Sequence, residues 1–465
     1  MFVVKKLLTL AAAIGVTITA EFPDVGSYEG DKLYAARLRN EQQTALLQGL
    51  ERSALVDVWS HETGRWVFRV KAEHSAKVEK AFLSAGAPVH VVHSNVQEIA
   101  EAERRRDQRL AKQKPYIKGK KETYDFAQYH SLDEIYDFME AVVNESAARD
   151  IAEISSIGQT EYFRKEMRII KIGKRAKDGA EKRKKPGVLI ECNIHAREFI
   201  TAGSCVYWIH QFIEGYLNDD PRLIRYVEDI DWYIVPVANP DGYFMAHLWP
   251  SRYRFWRKNL SGPRGRGNDK AHGVDLNRNW DARFGGKGTS GRPISDVYRG
   301  PIAFSESETR NLRDFILSSS HNVKAYFSIH SFSQMLLLPY CFSTTERPEN
   351  FEELNRVGTA AAEAIEDVHG KFYLAGQCST TILTPTPTFN FQGAMILSNE
   401  CTGVSGDWVS QTAGIKWSFA IESRPKTDRE GGFNPHPSEI IPNAEELLQA
   451  IFVVADKLLE ETTDL

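Results

Sequence analysis

The sequence predicts an α/β protein whose main body is a mixed, mostly parallel twisted sheet with helices on both faces. Short, almost continuously apolar segments alternate with longer amphipathic segments from about residue 130 onward. Strands that are apolar on both sides are typical of a parallel sheet buried between helical layers. A compact alternation of strands and helices precedes this body and predicts a small α+β module.

The small module occupies residues 21–95. Period-two and helical apolar patterns predict four strands, at residues 32–38, 56–60, 66–71 and 89–93, and two helices, at 41–51 and 75–84. The order βαββαβ is that of a ferredoxin-like module. It holds no cluster of catalytic residue types.

A highly charged segment, residues 96–121, connects the module to the main body. It predicts a helix to about residue 114 with three consecutive arginines, followed by further basic residues around Pro115 and Gly119. Two interpretations remain open from composition: a solvated linker helix, or an exposed segment that a trypsin-like protease cleaves.

The main body occupies residues 122–465. Ser131 and Glu134 form a capping box that begins a helix ending near residue 143. Five further strands are predicted, at 167–172, 188–193, 232–237, 325–329 and 418–422. Four further helices are predicted, at 201–216, 306–318, 352–368 and 443–461.

The first 20 residues predict a signal peptide. Lys5 and Lys6 precede an apolar run at 7–16, and Ala20 ends a plausible cleavage site. An uncleaved anchor is the alternative, but the run is shorter than the roughly 20 residues that a bilayer crossing needs. We therefore expect a secreted, extracellular protein.

Charge and cysteine content limit the partners. A net charge of −4 over 465 residues gives no reason to expect nucleic acid or a membrane as partner, and we expect a monomer. The five cysteines leave at least one unpaired within the chain. Their spacing does not resemble a zinc-thiolate site, so we expect buried or singly bridged cysteines.

The segment I-E-C-N-I-H-A-R-E at residues 190–198 is the most informative. His195 and Glu198 lie where a strand ends and a helix begins, so both side chains can reach one metal ion. A catalytic zinc has three protein ligands and a position open for water, and His330 follows the apolar strand 325–329. Each feature alone has a common alternative. The spacing of His195 and Glu198 can arise by chance, and a histidine beside an apolar strand is often a core residue.

With the motifs that follow, the chain resembles the funnelin-type zinc carboxypeptidases, the family of the pancreatic procarboxypeptidases A and B. The resemblance spans signal peptide, ferredoxin-like propeptide, basic connecting segment and catalytic domain. It implies one zinc ion (Zn²⁺) held by His195, Glu198 and His330, and it implies peptide or protein C-termini as substrates. It also implies a zymogen that a trypsin-like protease activates by cleavage within 96–121.

The resemblance implies how the substrate is held. The string G-V-D-L-N-R-N-W at 273–280 matches the family segment in which Asn277 and Arg278 bind the terminal carboxylate. A guanidinium can bind a carboxylate through two parallel charge-assisted bonds, which explains a requirement for a free C-terminus. Arg197, beside the metal ligands, is expected to bind substrate as well.

The resemblance also implies the chemistry. Arg257, in R-F-W-R-K at 254–258, matches the arginine that stabilises the oxyanion. Glu422, in W-S-F-A-I-E-S-R at 417–424, matches the general base. Gly406 stands where B-type enzymes place an acid at the base of the pocket, so we expect a preference for aromatic or aliphatic C-terminal residues.

One departure affects the expected activity. The family places a tyrosine on a loop over the substrate, but here Leu383 follows the matching approach and an insertion at 384–400 has no tyrosine. A loop elaboration, a gene-model error, or altered activity all remain open. Two alternative functions also remain: a pseudo-enzyme that binds peptide C-termini, or another zinc hydrolase such as a deacylase or tubulin-type deglutamylase.

Overall fold

The computed structural model describes residues 26–62, 64–145, 148–174, 184–267, 270–381 and 400–463. They form a four-stranded sheet followed by an eight-stranded sheet with its helices. The predicted signal peptide and all but the last residue of the 384–400 insertion lie outside these ranges.

The small sheet has the strand order β2-β3-β1-β4, with every neighbouring pair antiparallel. Its elements are β1 (Lys32–Arg37), α1 (Glu41–Arg52), β2 (Asp57–Glu62), β3 (Arg65–Val70), α2 (Ser75–Ser84) and β4 (His90–His93). Tyr34 lies opposite Phe68 in register, and both pack with Leu47 of α1 and Phe82 of α2. The predicted βαββαβ order is confirmed.

The charged connecting segment forms α3 (Val96–Gln113), as its composition predicts. Asn95 begins the helix by accepting a hydrogen bond from the backbone of Gln97. Val96, Ala100 and Glu103 are buried on one face of α3. That face packs on the main body.

The large sheet has the order β11-β10-β12-β9-β7-β8-β6-β5. Its strands are β5 (Ala152–Gln159), β6 (Glu166–Ile172), β7 (Gly187–Cys192), β8 (Asp231–Val235), β9 (Val323–Ser331), β10 (Met335–Leu338), β11 (Leu374–Gln377) and β12 (Trp417–Ser423). The helices are α4 (Leu132–Val143), α5 (Phe199–Leu217), α6 (Pro221–Asp229), α7 (Pro240–Leu248), α8 (Pro250–Tyr253), α9 (Ser307–Leu317), α10 (Phe351–His369), α11 (Cys378–Thr381), α12 (Ser405–Gln411) and α13 (Ile440–Thr463).

The centre of this sheet, β12-β9-β7-β8, is parallel, and β6, β5 and β10 join it antiparallel. Val188 and Ile190 of β7 pack in one core with Trp208 of α5, whereas Leu189 packs in a second core with Phe315 of α9. Because alternate side chains of one strand enter different cores, the sheet is buried on both faces. The predicted mixed, mostly parallel sheet is confirmed.

Three strands were not predicted from the sequence. In β5 only the first of eight residues is buried, so the strand lacks the apolar run that marked the others. The strands β10 and β11 have four residues each. Their pairing is set by neighbours far away in the chain rather than by a local pattern.

Two disulfide bridges lie within the described residues. Cys192 pairs with Cys205 and Cys341 with Cys378, while Cys401 is free. The expected unpaired cysteine is Cys401, and the turn after β7 brings Cys192 against Cys205 of α5. Within the part of the chain that the structure describes, no helix is both long and apolar enough to cross a bilayer.

Candidate active site

A sharp turn after β7 brings two candidate metal ligands together. Asn193 has a left-handed backbone conformation (φ 58°), which asparagine adopts more readily than most residues. Its side-chain nitrogen donates a hydrogen bond to the Glu198 carbonyl at 3.1 Å, which closes the turn. His195 Nδ1 then lies 2.7 Å from Glu198 Oε1.

His330 completes the group from the C-terminal end of β9. Its Nδ1 lies 3.2 Å from Glu198 Oε2 and 3.2 Å from His195 Nδ1, and all three side chains are buried. Zinc bonds of about 2.0 Å in a tetrahedral arrangement place ligand atoms roughly 3.3 Å apart. The two imidazole nitrogens and the carboxylate therefore fit a zinc ion.

The buried carboxylate of Asp275, which was given no role from the sequence, orients His195 and Arg257. Its Oδ1 lies 3.2 Å from His195 Nε2, so the opposite ring nitrogen faces the ligand centre. Its Oδ2 accepts a 2.9 Å hydrogen bond from Arg257 Nε. Burial opposes ionisation of Asp275, but Arg257 and Arg278 outweigh it and hold its pKa well below the usual range.

Glu422 lies at the C-terminal end of β12, in register with His330 on the parallel neighbour β9. Burial raises the pKa of Glu422 to about 7, with His330 acting in the opposite direction. The Glu198 charge adds to the increase. A carboxylate with a pKa near neutral can both accept and release a proton at physiological pH.

Backbone groups fix the orientation of Asn277 and Arg278. Asn277 Oδ1 accepts a 2.9 Å hydrogen bond from the backbone of Ser405. Arg278 donates from Nε to the Gly288 carbonyl at 2.9 Å and from Nη1 to the Asn277 carbonyl at 2.7 Å. A Cβ at Gly403 would lie 2.3 Å from the Arg278 carbonyl oxygen, so only glycine fits there.

Beyond these residues the cavity becomes apolar near Gly406. Leu337, Val404 and Ala420 pack together there with the Cys341–Cys378 bridge. The adjacent acid, Asp407, accepts hydrogen bonds from the backbone nitrogens of Cys341 and Phe342, and its burial raises its pKa to about 7. Asp407 is therefore held by backbone donors.

All nine residues singled out from the sequence line one cavity: His195, Arg197, Glu198, Arg257, Asn277, Arg278, His330, Gly406 and Glu422. Comparison with known proteins bears on what this cavity is. A family described as zinc carboxypeptidase matches residues 135–450, and a family described as carboxypeptidase activation peptide matches residues 34–103. The chain belongs to the zinc carboxypeptidase family.

Two bovine relatives of this carboxypeptidase align along almost their entire length. Carboxypeptidase A1 of Bos taurus is 33% identical over 98% of this chain and 99% of its own. Carboxypeptidase B of the same species is 30% identical over the same shares. The structure of carboxypeptidase A from Helicoverpa armigera is similar, with a TM-score of 0.78 and 25% identity over 93% of this chain and 98% of its own. The structure of thrombin activatable fibrinolysis inhibitor is similar as well, with a TM-score of 0.74 and 27% identity over 93% of this chain and 99% of its own.

The activation peptide forms one wall of the carboxypeptidase cavity. Glu51 of α1 and Asp57 and Trp59 of β2 line it together with the metal ligands. The Trp59 ring packs on Phe255 and Phe433, with ring centroids 4.7 and 5.4 Å away. The activation peptide thus covers part of the cavity that holds the candidate metal ligands.

Arg197 is almost completely buried in this precursor. Its Nη1 donates to both oxygens of Asp57, and its Nη2 donates to the Val58 carbonyl at 3.3 Å. Arg254, which is fully buried, binds Glu103 of α3 and the Arg197 carbonyl. The side chain expected to bind substrate is therefore held by the activation peptide.

Proposed function

We propose that this chain is the secreted precursor of a zinc-dependent peptidase that hydrolyses the last peptide bond of peptides and proteins. The observation that carries the proposal is the meeting of three candidate metal-ligand atoms with Glu422 and three arginines in one cavity. These groups come from the C-terminal ends of β7, β9 and β12 and from two further segments, around Arg257 and Arg278. Ligands commonly bind at that edge of an open α/β sheet.

Asn277 and Arg278 would bind the free carboxylate at the C-terminus of the substrate. The guanidinium is held by two carbonyls, from Gly288 and Asn277, so little conformational entropy is lost when a carboxylate binds. After release of the activation peptide, Arg197 loses Asp57 and becomes available for a substrate carbonyl further along the peptide.

Glu422 would take the proton from the attacking water and pass it to the leaving amine nitrogen. Arg257, aligned by Asp275, would donate to the oxygen of the scissile carbonyl as negative charge develops there. One such aligned donor contributes roughly 3 kcal/mol to a transition state. A zinc ion bound by His195, Glu198 and His330 would supply a water of lowered pKa and polarise the carbonyl.

The apolar end of the cavity supports an A-like preference. Gly406 provides no charge, and Asp407 already accepts two backbone hydrogen bonds. Burying the charge of lysine or arginine without a partner costs more than burying an apolar side chain. We therefore propose aromatic or aliphatic C-terminal residues as preferred substrates.

The precursor would be secreted, latent and monomeric, with an activating trypsin-like protease cleaving within residues 96–121. The basic face of α3 is exposed at Arg105 and Arg109 and therefore accessible. Residues 21–95 would then leave as the propeptide, and residues 122–465 would remain as the catalytic domain.

Treating the purified precursor with trypsin and assaying blocked dipeptides, with and without a chelator, tests the proposal. We expect little hydrolysis before trypsin, rapid release of C-terminal phenylalanine after it, and loss of this activity with the chelator. Hydrolysis that the chelator does not inhibit would contradict the proposal. The proposal would also be contradicted if the completely processed protein hydrolysed none of the blocked dipeptides.

A further inference from the structure

A buried hydroxyl and a buried carboxylate stand behind His330, on the side away from the other ligands. Ser328 Oγ lies 2.9 Å from His330 Nε2 and donates a 2.6 Å hydrogen bond to Glu191 Oε1. Glu191 and Ser328 are opposite each other in register on β7 and β9, and both are fully buried.

The orientation of His330 determines the direction of these hydrogen bonds. When Nδ1, which faces Glu198 and His195, binds the zinc ion, the hydrogen of the neutral ring must be on Nε2. Ser328 Oγ accepts this hydrogen and gives its own to Glu191. Asn277 Nδ2, 3.3 Å from His330 Nε2, is a donor and cannot accept it.

Apart from Ser328, no described residue forms a hydrogen bond with the side chain of the buried acid Glu191. Among the described residues no salt bridge involves it, and its second oxygen, Oε2, has no hydrogen-bond partner. An unpaired buried carboxylate is costly. Positive charge at His330 reduces this cost, because it lowers the pKa of Glu191 against the effect of burial.

We propose that Ser328 and Glu191 are positioning residues that act together on zinc binding through His330. Glu191 holds the Ser328 hydroxyl, which fixes the ring of His330 with Nδ1 toward the ion and makes that nitrogen a stronger ligand. Asp275 does the same for His195 directly. This inference rests on the proposed function, since it concerns the same zinc ion.

Zinc affinity of the full-length precursor, measured by competition with a chromophoric chelator, tests the relay without using activity. Ser328→Ala should bind zinc about 10-fold more weakly, the lower end of the effect of such groups. Glu191→Gln keeps the shape and one acceptor but loses the charge, so its loss should be smaller. Equal affinities of both variants and the wild type would overturn the proposal.

Ser204→Ala is the matched control. Ser204 is also fully buried and makes two hydrogen bonds, to the Ile200 carbonyl and from Asn443, but touches no metal ligand. It should bind zinc as the wild type does. If it lost zinc as strongly as Ser328→Ala, general destabilisation would be the cause and the relay would be refuted.

The double variant separates a relay from a through-space effect. If Glu191 acts through Ser328, Glu191→Gln should weaken zinc binding only when Ser328 is present. An equal effect of Glu191→Gln in the Ser328→Ala background would refute the relay. The visible spectrum of the cobalt-substituted protein should change in Ser328→Ala and stay unchanged in Ser204→Ala; an unchanged spectrum in Ser328→Ala would count against it.

The same samples keep this inference distinct from the proposed function. A wild-type protein that binds zinc but hydrolyses no blocked dipeptide after trypsin would contradict the peptidase proposal alone. A fully active wild type whose Ser328→Ala variant binds zinc normally would contradict the relay alone.

Discussion

Arg197 Nη1 lies 3.0 and 2.9 Å from the two carboxylate oxygens of Asp57, which is 140 residues earlier in the chain. Arg197 immediately precedes the candidate metal ligand Glu198, whereas Asp57 belongs to the activation peptide. Both side chains are almost completely buried. Removing one partner of a buried ion pair is strongly destabilising because the other charge stays unpaired, so this pair holds the two parts of the precursor together.

Asp57→Ala should therefore make the precursor leaky. The unpaired Arg197 weakens docking of the activation peptide, and we expect hydrolysis of a blocked dipeptide by the uncleaved precursor to rise several-fold. The control is Asp133→Ala. Asp133 is an exposed residue of α4 that pairs with Lys165, and hydrolysis by this variant precursor should stay at the wild-type level. If the Asp57→Ala precursor is as inactive as the wild type, Arg197 is not the contact that maintains latency.

Glu422→Gln should abolish turnover and leave the metal bound. The amide cannot accept a proton, and loss of a general base costs about 10²- to 10⁴-fold in rate. His195, Glu198 and His330 are unchanged, so metal analysis should find one zinc per chain. Retained activity, or loss of zinc, would show that Glu422 has a different role.

The dependence of kcat/KM on pH, on the acid side, should reflect the protonation of Glu422. Burial raises the pKa of Glu422 to about 7, and a zinc ion nearby would lower it again. We therefore expect kcat/KM of the trimmed enzyme to decrease as the pH falls through a value at or below about 7, because protonated Glu422 cannot act as a base. A decrease that begins well above pH 7 would not fit this assignment.

Gly406→Asp should move the preference toward basic C-terminal residues. A Cβ at Gly406 meets only Ser418 Oγ, at 3.6 Å, which is an ordinary contact, so the backbone leaves room for a Cβ there. One charge-assisted hydrogen bond is worth about 1.5–3 kcal/mol, which predicts about a 10- to 100-fold gain in the rate ratio of C-terminal arginine to phenylalanine. Gly406→Ala fills the same space without charge and should show no gain for arginine. The wild type should release phenylalanine faster; the reverse order would refute the A-like preference.

Glu308→Gln should stabilise the precursor at alkaline pH. Burial, together with Asp241 and Glu306, raises the pKa of Glu308 to about 8. Between the unfolded pKa of about 4.5 and this value, the folded state holds a proton that the unfolded state lacks, so stability falls as the pH rises. The uncharged amide of the variant removes this loss, which amounts to up to a few kcal/mol of unfolding free energy.

Thermal unfolding at about pH 5 and about pH 9 measures this effect. The melting temperature of Glu308→Gln should exceed that of the wild type by more at the higher pH. The control is Glu352→Gln, at an exposed position on α10. Its melting temperature should change between the two pH values by as much as that of the wild type. A wild-type melting temperature with the same pH dependence as Glu308→Gln would contradict the argument.

Local pattern in the sequence was sufficient for the strands and helices of the small module and for the central strands of the large sheet. The strands β10 and β11 were missed because their pairing depends on distant neighbours, and the edge strand β5 was missed because it lacks an apolar run. The motifs around His195 and Glu422 identified the site because each is a contiguous string at the end of a buried strand.

The sequence by itself therefore determined which residue types are present and on which strand ends they lie. Only the tertiary structure decided their partners: Asp57 for Arg197, Asp275 for His195 and Arg257, and Glu191 for Ser328. The physical reason is that a side chain's partner depends on the register between strands and on the packing of the activation peptide. Neither leaves a periodic signal in the chain.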